Sequence, residues 1–382
     1  MTMTSEGPIQ AKPRDPLPAG ARTLPARYYM DPHVFGREME RFFFGMWICA
    51  GRAADIPDAG DFFVRDVVGE SIVVTRGEDG RVRAFYNTCR HRGTKYCTEA
   101  EGRFTGRIQC PYHLWTYRLD GTLANAPHMN DVAGFCKEEW PLRQVVCDTW
   151  DGHVFLNFSD SPPPLASQLA ALPGKFAPWR MQELRRGARI EYELQTNWKL
   201  VLLNYSECLH CPNVHPVLNQ LSHYLSGENE PLQPTYMGGR MDLRPGVETM
   251  SMDGVCRRAP LPGVAADDRR RVYYYALFPN FLLSLHPDYM MTHTIWPVAP
   301  GSTRIICEWH FHADELAKPG FDAQDVVSFW DMTNRQDWHV CELSLAGIRS
   351  RGYRPGPYSN REDLLHQFDR FILRELGDPD ER

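Results

Sequence analysis

The sequence predicts an α+β protein with two domains, and three observations support this fold class. Its 382 residues exceed the size at which a single hydrophobic core stops growing. Short β-rich runs with turn signals fill residues 61–159, whereas residues 190–376 mix strands and helices. Between these regions, Ser161-Pro-Pro-Pro164 breaks the chain as a linker would. We therefore expect an all-β domain followed by a sheet with packed helices.

A helix is the first predicted element. Asp31 is a favoured N-cap, Pro32 is a favoured first helical residue, and apolar residues from Val34 to Phe43 follow at near-helical spacing. We assign residues 1–44 to an N-terminal segment that packs with the second domain.

Residues 45–160 are predicted to form the all-β domain. Ser71–Thr75 and Val82–Tyr86 are rich in residues that favour strands, and Glu78-Asp-Gly80 between them has the composition of a turn. Leu119-Asp-Gly121 is a further turn signal. This order of short strands and tight turns indicates a compact module whose loops present functional side chains.

Residues 165–382 are predicted to form the α+β domain. Ile190–Gln195 alternates like a strand, Asn197–Cys211 has the pattern of a helix, and β-rich runs fill Val272–His312. The two closing helices are predicted at Asp322–Ile348 and Glu362–Leu376.

The composition, with 43% hydrophobic and 24% charged residues, is that of an ordinary globular protein. A net charge of −6 gives no reason to expect nucleic acid or an anionic membrane as a partner. The longest apolar run, Phe42–Gly51, is about half the length that crosses a bilayer. Residues 1–27 lack the apolar core of a secretory signal, and 11 scattered cysteines do not resemble a secreted disulfide framework. We therefore expect a cytoplasmic protein.

Two pairs of soft ligands, Cys89-x-His91 and Cys110-x-x-His113, form the most informative motif, with 18 residues between the pairs. Two cysteines and two histidines at this spacing predict a 2Fe-2S cluster of the Rieske type, in which imidazoles replace thiolates on one iron. Zinc is the alternative, but a zinc finger places a cysteine pair before a histidine pair. The chain is thus predicted to handle single electrons.

A second constellation runs from Asn204 to His215. Asn204, Glu207 and His210 are three residues apart and share one face of the predicted helix, and Pro212 turns the chain so that His215 returns beside His210. Two histidines with one carboxylate form the facial triad of a non-heme Fe(II) site, which leaves positions open for dioxygen and substrate. Two histidines five residues apart indicate little alone, but beside a Rieske motif we predict them to be iron ligands.

The carboxylate of this triad is predicted on the first closing helix. Asp337 shares a stripe there with Trp330 and Val340, and an acid on an apolar stripe needs a compensating charge, which a metal supplies. Asp331 and Glu342 point away from that stripe. A salt bridge to an arginine is the alternative role for Asp337.

Together with Asn197-Trp-Lys199, these motifs resemble the signature of the Rieske non-heme iron oxygenases, in their large catalytic subunit. The resemblance covers the chain from about Tyr28 to its last residue. It implies a β Rieske domain, a helix-grip catalytic domain of the lipid-transfer type and a ring-shaped homotrimer. It also implies electrons from NAD(P)H through a separate reductase or ferredoxin, because the chain shows no flavin or nicotinamide fingerprint.

The metal ligands that the resemblance implies fall into two groups. The ligands of the cluster are Cys89 and Cys110 on one iron, and His91 and His113 on the other. The ligands of the mononuclear Fe(II), with O2 as co-substrate, are His210, His215 and Asp337.

Asn204 and Glu207 are the predicted catalytic side chains. Glu207 matches an acid that, in the family, joins an iron-ligating histidine, here His210, to a cluster histidine of a neighbouring subunit, here the partner subunit's His113. Many ring-hydroxylating members have Asp at this position, four residues after the helical Asn, whereas Glu207 follows Asn204 by three.

The substrate implied by this departure is a methylammonium compound, which would be hydroxylated or oxidatively N-demethylated. Glu207, Cys211-Pro and Phe278–Asp288 are similar to the branch that oxidises quaternary amines such as betaines and carnitine. A trimethylammonium head binds the faces of aromatic rings. The second domain supplies Tyr205, Tyr224, Tyr236, Tyr273, Tyr274, Tyr275 and Trp309.

Two other functions stay open. An aromatic ring or aromatic carboxylate is the alternative substrate for hydroxylation or dihydroxylation, with Arg240 or Arg304 as the carboxylate ligand. A Rieske electron carrier is the non-enzymatic alternative, but such a protein needs only the first domain.

Overall fold

The computed structural model describes residues 16–231 and 233–379, and the chain divides into two compact units. The large unit joins the N-terminal residues up to Arg41 with Gln168–Arg382, and the small unit is Phe42–Ser167. Residues 1–15 of the predicted N-terminal segment lie outside the described residues. The small unit is built mainly of strands and the large unit of a sheet with helices, so the predicted α+β class is confirmed.

The small unit is an antiparallel β structure. Its strands are β1 Ile48–Arg52, β2 Asp61–Val67, β3 Glu70–Arg76, β4 Val82–Tyr86, β5 Glu101–Arg103, β6 Ile108–Gln109, β7 Thr116–Tyr117, β8 Leu123–Asn125, β9 Gln144–Trp150 and β10 His153–Asn157. One sheet has the order β1-β10-β9-β4-β3-β2-β5, and another has the order β6-β7-β8.

The large unit is built on one antiparallel sheet. Its strands are β11 Leu184–Leu194, β12 Glu228–Asn229, β13 Tyr236–Asp242, β14 Arg271–Leu277, β15 Phe281–Leu285, β16 Met290–Ala299 and β17 Ser302–His312. They follow the order β11-β17-β16-β15-β14-β13-β12, so that β11 and β12 are the two edges of the sheet.

Among the described residues, most α-helices are short, and the last two in the chain are longer. The helices are α1 Arg27–Met30, α2 Pro32–Glu38, α3 Leu165–Leu169, α4 Leu172–Phe176, α5 Trp198–Tyr205, α6 Cys211–Val214, α7 Pro216–Leu221, α8 Ala313–Leu316, α9 Gln324–Ile348 and α10 Asp363–Leu376. Single 3-10 turns lie at Ala53–Asp55, Lys137–Glu139, Ala177–Trp179, Met181–Glu183, Tyr224–Ser226 and Asp268–Arg270, and a π-helical turn lies at Met39–Phe43. Among the described residues, no helix has both the length and the apolar composition of a membrane span.

The structure confirms one predicted helix start and corrects another helix. Asp31 caps α2, accepting the His33 N–H at 2.8 Å. The helix predicted over Asn197–Cys211 ends six residues early, at Tyr205. There Ser206 donates its hydroxyl to the Leu202 carbonyl at 2.7 Å, a local bond that satisfies a carbonyl of the last helical turn.

Helix α9 is fixed to the edge strand β11. Tyr192 on the strand donates its hydroxyl to Asp331 at 2.8 Å, and Thr196 just beyond it donates to the Cys341 carbonyl at 2.8 Å. These bonds lie on either side of Asp337 along the helix. The position of Asp337 therefore depends on a strand that is more than 130 residues earlier in the chain.

The alternation of side chains along β14 separates its tyrosines. Tyr274 lies near Tyr205 of α5, with ring centroids 6.0 Å apart. Tyr273 and Tyr275 lie on the opposite face and pack edge-to-face against Phe176 of α4. One tyrosine of the three consequently faces α5.

A buried ion pair joins the N-terminal segment to the rest of the large unit. Lys199 Nζ lies 2.7 and 2.8 Å from the two carboxylate oxygens of Glu38, and neither side chain is exposed to solvent. Trp198 donates its indole N–H to the same carboxylate at 2.9 Å. Since a buried charge is stable only when it is paired and hydrogen-bonded, this pair holds α2 against α5.

Candidate metal centres and active site

Two loops of the small unit carry the four predicted cluster ligands. The Cys89 N–H donates to the Thr94 carbonyl at 2.9 Å, and the Cys110 N–H donates to the Trp115 carbonyl at 2.9 Å. Each loop therefore closes on itself with a cysteine at its base. Both cysteines are only 2% exposed, and the Tyr117 hydroxyl lies 3.3 Å from Cys89 Sγ.

His91 and His113 belong to the same loops but lie nearer the surface. Their ring centroids are 4.7 Å apart. His91 stacks on Trp115 at 4.9 Å, and His113 stacks on Tyr112 at 3.7 Å. Desolvation lowers the pKa of His91, and the neighbouring His113 and Arg92 lower it further, which favours the neutral imidazole that binds a metal.

This set of donors fits a Rieske cluster. The two thiols are buried and the two imidazoles lie outside them, as expected when each iron takes one kind of ligand. Burial raises the pKa of the Cys110 thiol, and the adjacent Cys89 adds to the rise. The positive charge of the irons would hold both cysteines as thiolates.

A disulfide links the loop that precedes α6 to the first residue of this helix. It joins Cys208 to Cys211, so the segment that contains His210 is closed covalently. The carboxylate of Glu207 also accepts the Leu209 N–H. This disulfide was not predicted, although the Cys-x-x-Cys spacing is a signal for a cysteine pair.

The structure brings His210, His215 and Asp337 together. One possible ligand atom of each lies within 4.8 Å of the others. Asp337 Oδ1 is 3.2 Å from His210 Nε2 and 2.8 Å from His215 Nε2. Two imidazole nitrogens and one carboxylate oxygen that converge in this way are the donor set of a 2-His-1-carboxylate iron site.

Electrostatics favour a cation among these three side chains. Burial lowers the pKa of His210, but hydrogen bonds to Asp337 and Glu207 outweigh this effect and raise the pKa to about 10. Burial raises the pKa of Asp337, but hydrogen bonds from His210 and His215 hold it below its ordinary value. A divalent iron would supply the same positive charge with both histidines neutral.

Two further side chains orient the histidines. Glu207 Oε1 contacts His210 Nδ1, and Gln336 Oε1 lies 2.7 Å from His215 Nδ1. When Nδ1–H donates to these oxygens, each Nε2 lone pair is left on the side of Asp337, where a metal would bind. Glu207 was predicted, whereas Gln336 was missed; its one sequence signal is its place beside Asp337.

A cavity of about 140 Å³ opens onto this triad. It is smaller than the pockets of several hundred Å³ that hold drug-sized ligands, so it suits a small substrate. Asn204, in the last turn of α5, lines it as well as Glu207. The aromatic residues of the lining are Tyr205, Tyr224, Tyr274, Trp330 and Trp338.

This lining corrects the set of aromatic residues that the sequence offered. Tyr205, Tyr224 and Tyr274 line the cavity, whereas Tyr236, Tyr273, Tyr275 and Trp309 do not. Trp330 and Trp338 were not among the predicted ligand-binding residues, because their positions on α9 indicate only a buried helix face.

His293 on β16 lines the cavity, although no motif in the sequence predicted it. It is 1% exposed, and among the described residues neither ring nitrogen has a hydrogen-bond partner. Asn334 lies beside the ring but outside hydrogen-bonding geometry. Burial lowers the pKa of His293 to about 4, so the ring is neutral at physiological pH.

Electron storage and dioxygen activation are combined in the Rieske non-heme iron oxygenases, and this fold offers donor sets for both. Residues 181–378 match the family model for the ring hydroxylating alpha subunit (catalytic domain), and residues 46–136 match the Rieske [2Fe-2S] domain. The chain belongs to this family of oxygenase alpha subunits, and it is an oxidoreductase.

Relatives within the family are named for quaternary ammonium substrates. The glycine betaine monooxygenase oxygenase subunit of Chromohalobacter salexigens is 31% identical over 369 residues, covering 89% of this chain and 82% of the relative. The carnitine monooxygenase oxygenase subunit of Escherichia coli K12 is 31% identical over 349 residues, covering 88% and 87%. A quaternary ammonium Rieske monooxygenase solved with γ-butyrobetaine is 25% identical with a TM-score of 0.77, covering 94% and 99%.

The iron content provides a test of the triad. We expect His210→Ala to lower the iron content from about three to about two per chain, because it removes a ligand of the mononuclear site only. Iron analysis with the visible spectrum of the cluster measures both sites at once. His339→Ala, an exposed residue on the same helix as Asp337, is the control. Unchanged iron in His210→Ala would contradict the triad.

Proposed function

We propose that this protein is the oxygenase component that hydroxylates an N-methyl group of a small quaternary ammonium compound of the betaine type. The observation that carries the proposal is the aromatic lining of the cavity at the triad. Tyr205 and Tyr274 lie edge-to-face there at 6.0 Å, and Tyr274 and Trp330 at 6.3 Å. A methylammonium group is attracted to such ring faces, and the names of the relatives point to the same class of substrate.

The ligands of this proposal are those predicted from the sequence. His210, His215 and Asp337 would hold Fe(II), which activates dioxygen when it is bound. Overall, one methyl C–H bond, one O2, two electrons and two protons give the N-hydroxymethyl compound and water. The hydroxymethyl group then loses its hydroxyl proton, the C–N bond breaks, and formaldehyde and the tertiary amine are released.

The electrons are proposed to reach the site through a neighbouring subunit. Cys89, Cys110, His91 and His113 would hold the Rieske cluster in residues 45–160, and residues 165–382 would form the catalytic domain. Glu207, which already contacts His210 Nδ1, would bond to the partner subunit's His113 in a homotrimer. A separate reductase or ferredoxin would supply electrons from NAD(P)H.

We also infer a cytoplasmic location. Free thiols among the described residues include those of Cys89, Cys97, Cys110, Cys136, Cys147, Cys256, Cys307 and Cys341, whereas Cys208 and Cys211 form a disulfide. Many free thiols beside a single local disulfide, between cysteines three residues apart, fit a compartment in which disulfides are rare.

A single-turnover assay tests the substrate class. The iron-loaded protein is reduced with dithionite, freed of the reductant and exposed to oxygen with glycine betaine, carnitine or an aromatic acid. We expect formaldehyde in an amount approaching one per active site from at least one of the amines, and no oxygenated product from the aromatic acid. Product from aromatic acids alone would contradict the proposal and favour ring hydroxylation.

A further inference from the structure

We propose that Arg361 determines substrate specificity by binding a carboxylate at the end of the substrate remote from the reacting methyl group. The substrate would then be a zwitterion, such as a betaine, rather than a simple cation such as choline. This inference rests on the proposed oxidation of quaternary amines and defines the substrate class more narrowly.

The charged residues of the cavity lining indicate this role. Glu207 and Asp337 are occupied by the two histidines of the triad. Arg240 forms an ion pair with Glu228, with Nη2 2.6 Å from Oε2. Arg361 also lines the cavity, and its guanidinium has no hydrogen bond or ion pair with any described residue. Arg361 is thus a charged residue of the cavity lining whose positive charge is not neutralised by any described residue.

The sequence had offered two other arginines for a carboxylate, and the structure argues against both. Arg240 lines the cavity, but Glu228 already neutralises it. Arg304 does not line the cavity; it lies on β17 and pairs with the exposed Glu191 on β11. Arg361 was missed because it lies in an irregular segment with no periodic pattern.

The backbone that carries Arg361 is held in place. The Arg361 N–H donates to Ser359 Oγ at 3.3 Å, and the Ser359 N–H donates to Glu362 Oε2 at 2.7 Å. Asn229 of β12 donates its amide to Asp363 at 3.0 Å, at the first residue of α10. Arg361 therefore lines the cavity from a fixed backbone, which lowers the entropy lost when its side chain binds a ligand.

Arg361 and Asp337 join the cavity lining from different elements of the large unit. The segment with Arg361 is bonded to β12, whereas α9 with Asp337 is bonded to β11. A substrate methyl group must lie at the triad to react, with its ammonium against the aromatic faces. The remaining end of a betaine is an anion, and a guanidinium binds a carboxylate through two parallel N–H bonds. A cationic alcohol would leave Arg361 without a partner.

Binding to the iron-loaded enzyme tests this inference without the reductase. We expect Arg361→Gln to weaken glycine betaine binding about 10- to 100-fold by titration calorimetry, the range for one charge-assisted interaction. Choline binding should change by less than about threefold, because choline has no carboxylate. In formaldehyde assays the loss should appear in KM rather than kcat, since the interaction is remote from the reacting bond. Arg361→Lys should lose less than Arg361→Gln.

Arg304→Gln is the matched control, since it removes an arginine from the same unit but outside the cavity, and it should bind both ligands as the wild type does. Equal weakening of betaine and choline in Arg361→Gln, or no weakening, would overturn the inference. Equal affinity of the wild type for the two ligands would do the same. If the wild type binds no quaternary amine and releases no formaldehyde, the proposed function itself fails.

Discussion

Glu207→Gln is expected to lower product formation by about 100-fold while both metal sites remain filled, the upper range for a residue that orients a metal ligand. The carboxylate contacts His210 Nδ1 with one oxygen and accepts the Leu209 N–H with the other. Glutamine can keep the bond from the imidazole, but it lacks the negative charge and places an amide N–H against a second donor. The ligand His210 stays in place, whereas the proposed link to the partner subunit is weakened.

The measurement combines formaldehyde release with iron analysis and the visible spectrum of the cluster. Glu191→Gln is a suitable control, since this residue pairs with Arg304 and does not line the cavity. If the Glu207→Gln protein is fully active, the bridging role is refuted. If it loses iron instead, Glu207 serves to hold the metal site rather than to connect the two centres.

Lys199→Met is expected to destabilise the large unit by about 3–5 kcal/mol, the usual cost of removing one partner of a buried ion pair. Among the described residues, Glu38 would then keep only the indole N–H of Trp198 as a donor. Urea unfolding followed by tryptophan fluorescence measures the loss of unfolding free energy. The absorbance of the cluster reports on the small unit separately, because the two units need not unfold together. Arg304→Gln, in an exposed pair, should cost less than about 1 kcal/mol.

The loss of stability in Lys199→Met should also depend on pH, in a direction that the pKa of Glu38 determines. Burial raises the pKa of Glu38, and Lys199 lowers it again. Without Lys199 the folded-state pKa would rise further above the unfolded value of about 4.3. The loss of stability that the unpaired Glu38 carboxylate causes should therefore be absent below about pH 4.3 and should grow as the pH rises. The double variant Glu38→Leu with Lys199→Met, which removes both partners, should recover much of the lost stability. If it is as unstable as Lys199→Met alone, lost packing and not the unpaired charge is responsible.

The proposed metal ligands were predictable to different degrees. Cys110 and His113 stand close together in one loop, and with Cys89 and His91 their short spacings indicated one two-iron cluster. Asp337 was found by helical periodicity, because α9 is long and regular. Glu207 was placed on a helix that in fact ends at Tyr205, yet it does contact His210 as expected. The contact depends on the separation of three residues between Glu207 and His210, and it forms although the segment is not helical.

By itself, the sequence determined the class of this protein, since ligand types and short spacings are local properties that define the chemistry of a metal site. The tertiary structure alone decided which side chains complete the cavity. Gln336 reaches His215 across 121 residues, and the segment with Arg361 is tied to β12 across 134. No periodic pattern records such contacts, because they depend on how the edges of one sheet are packed against helices distant in the chain.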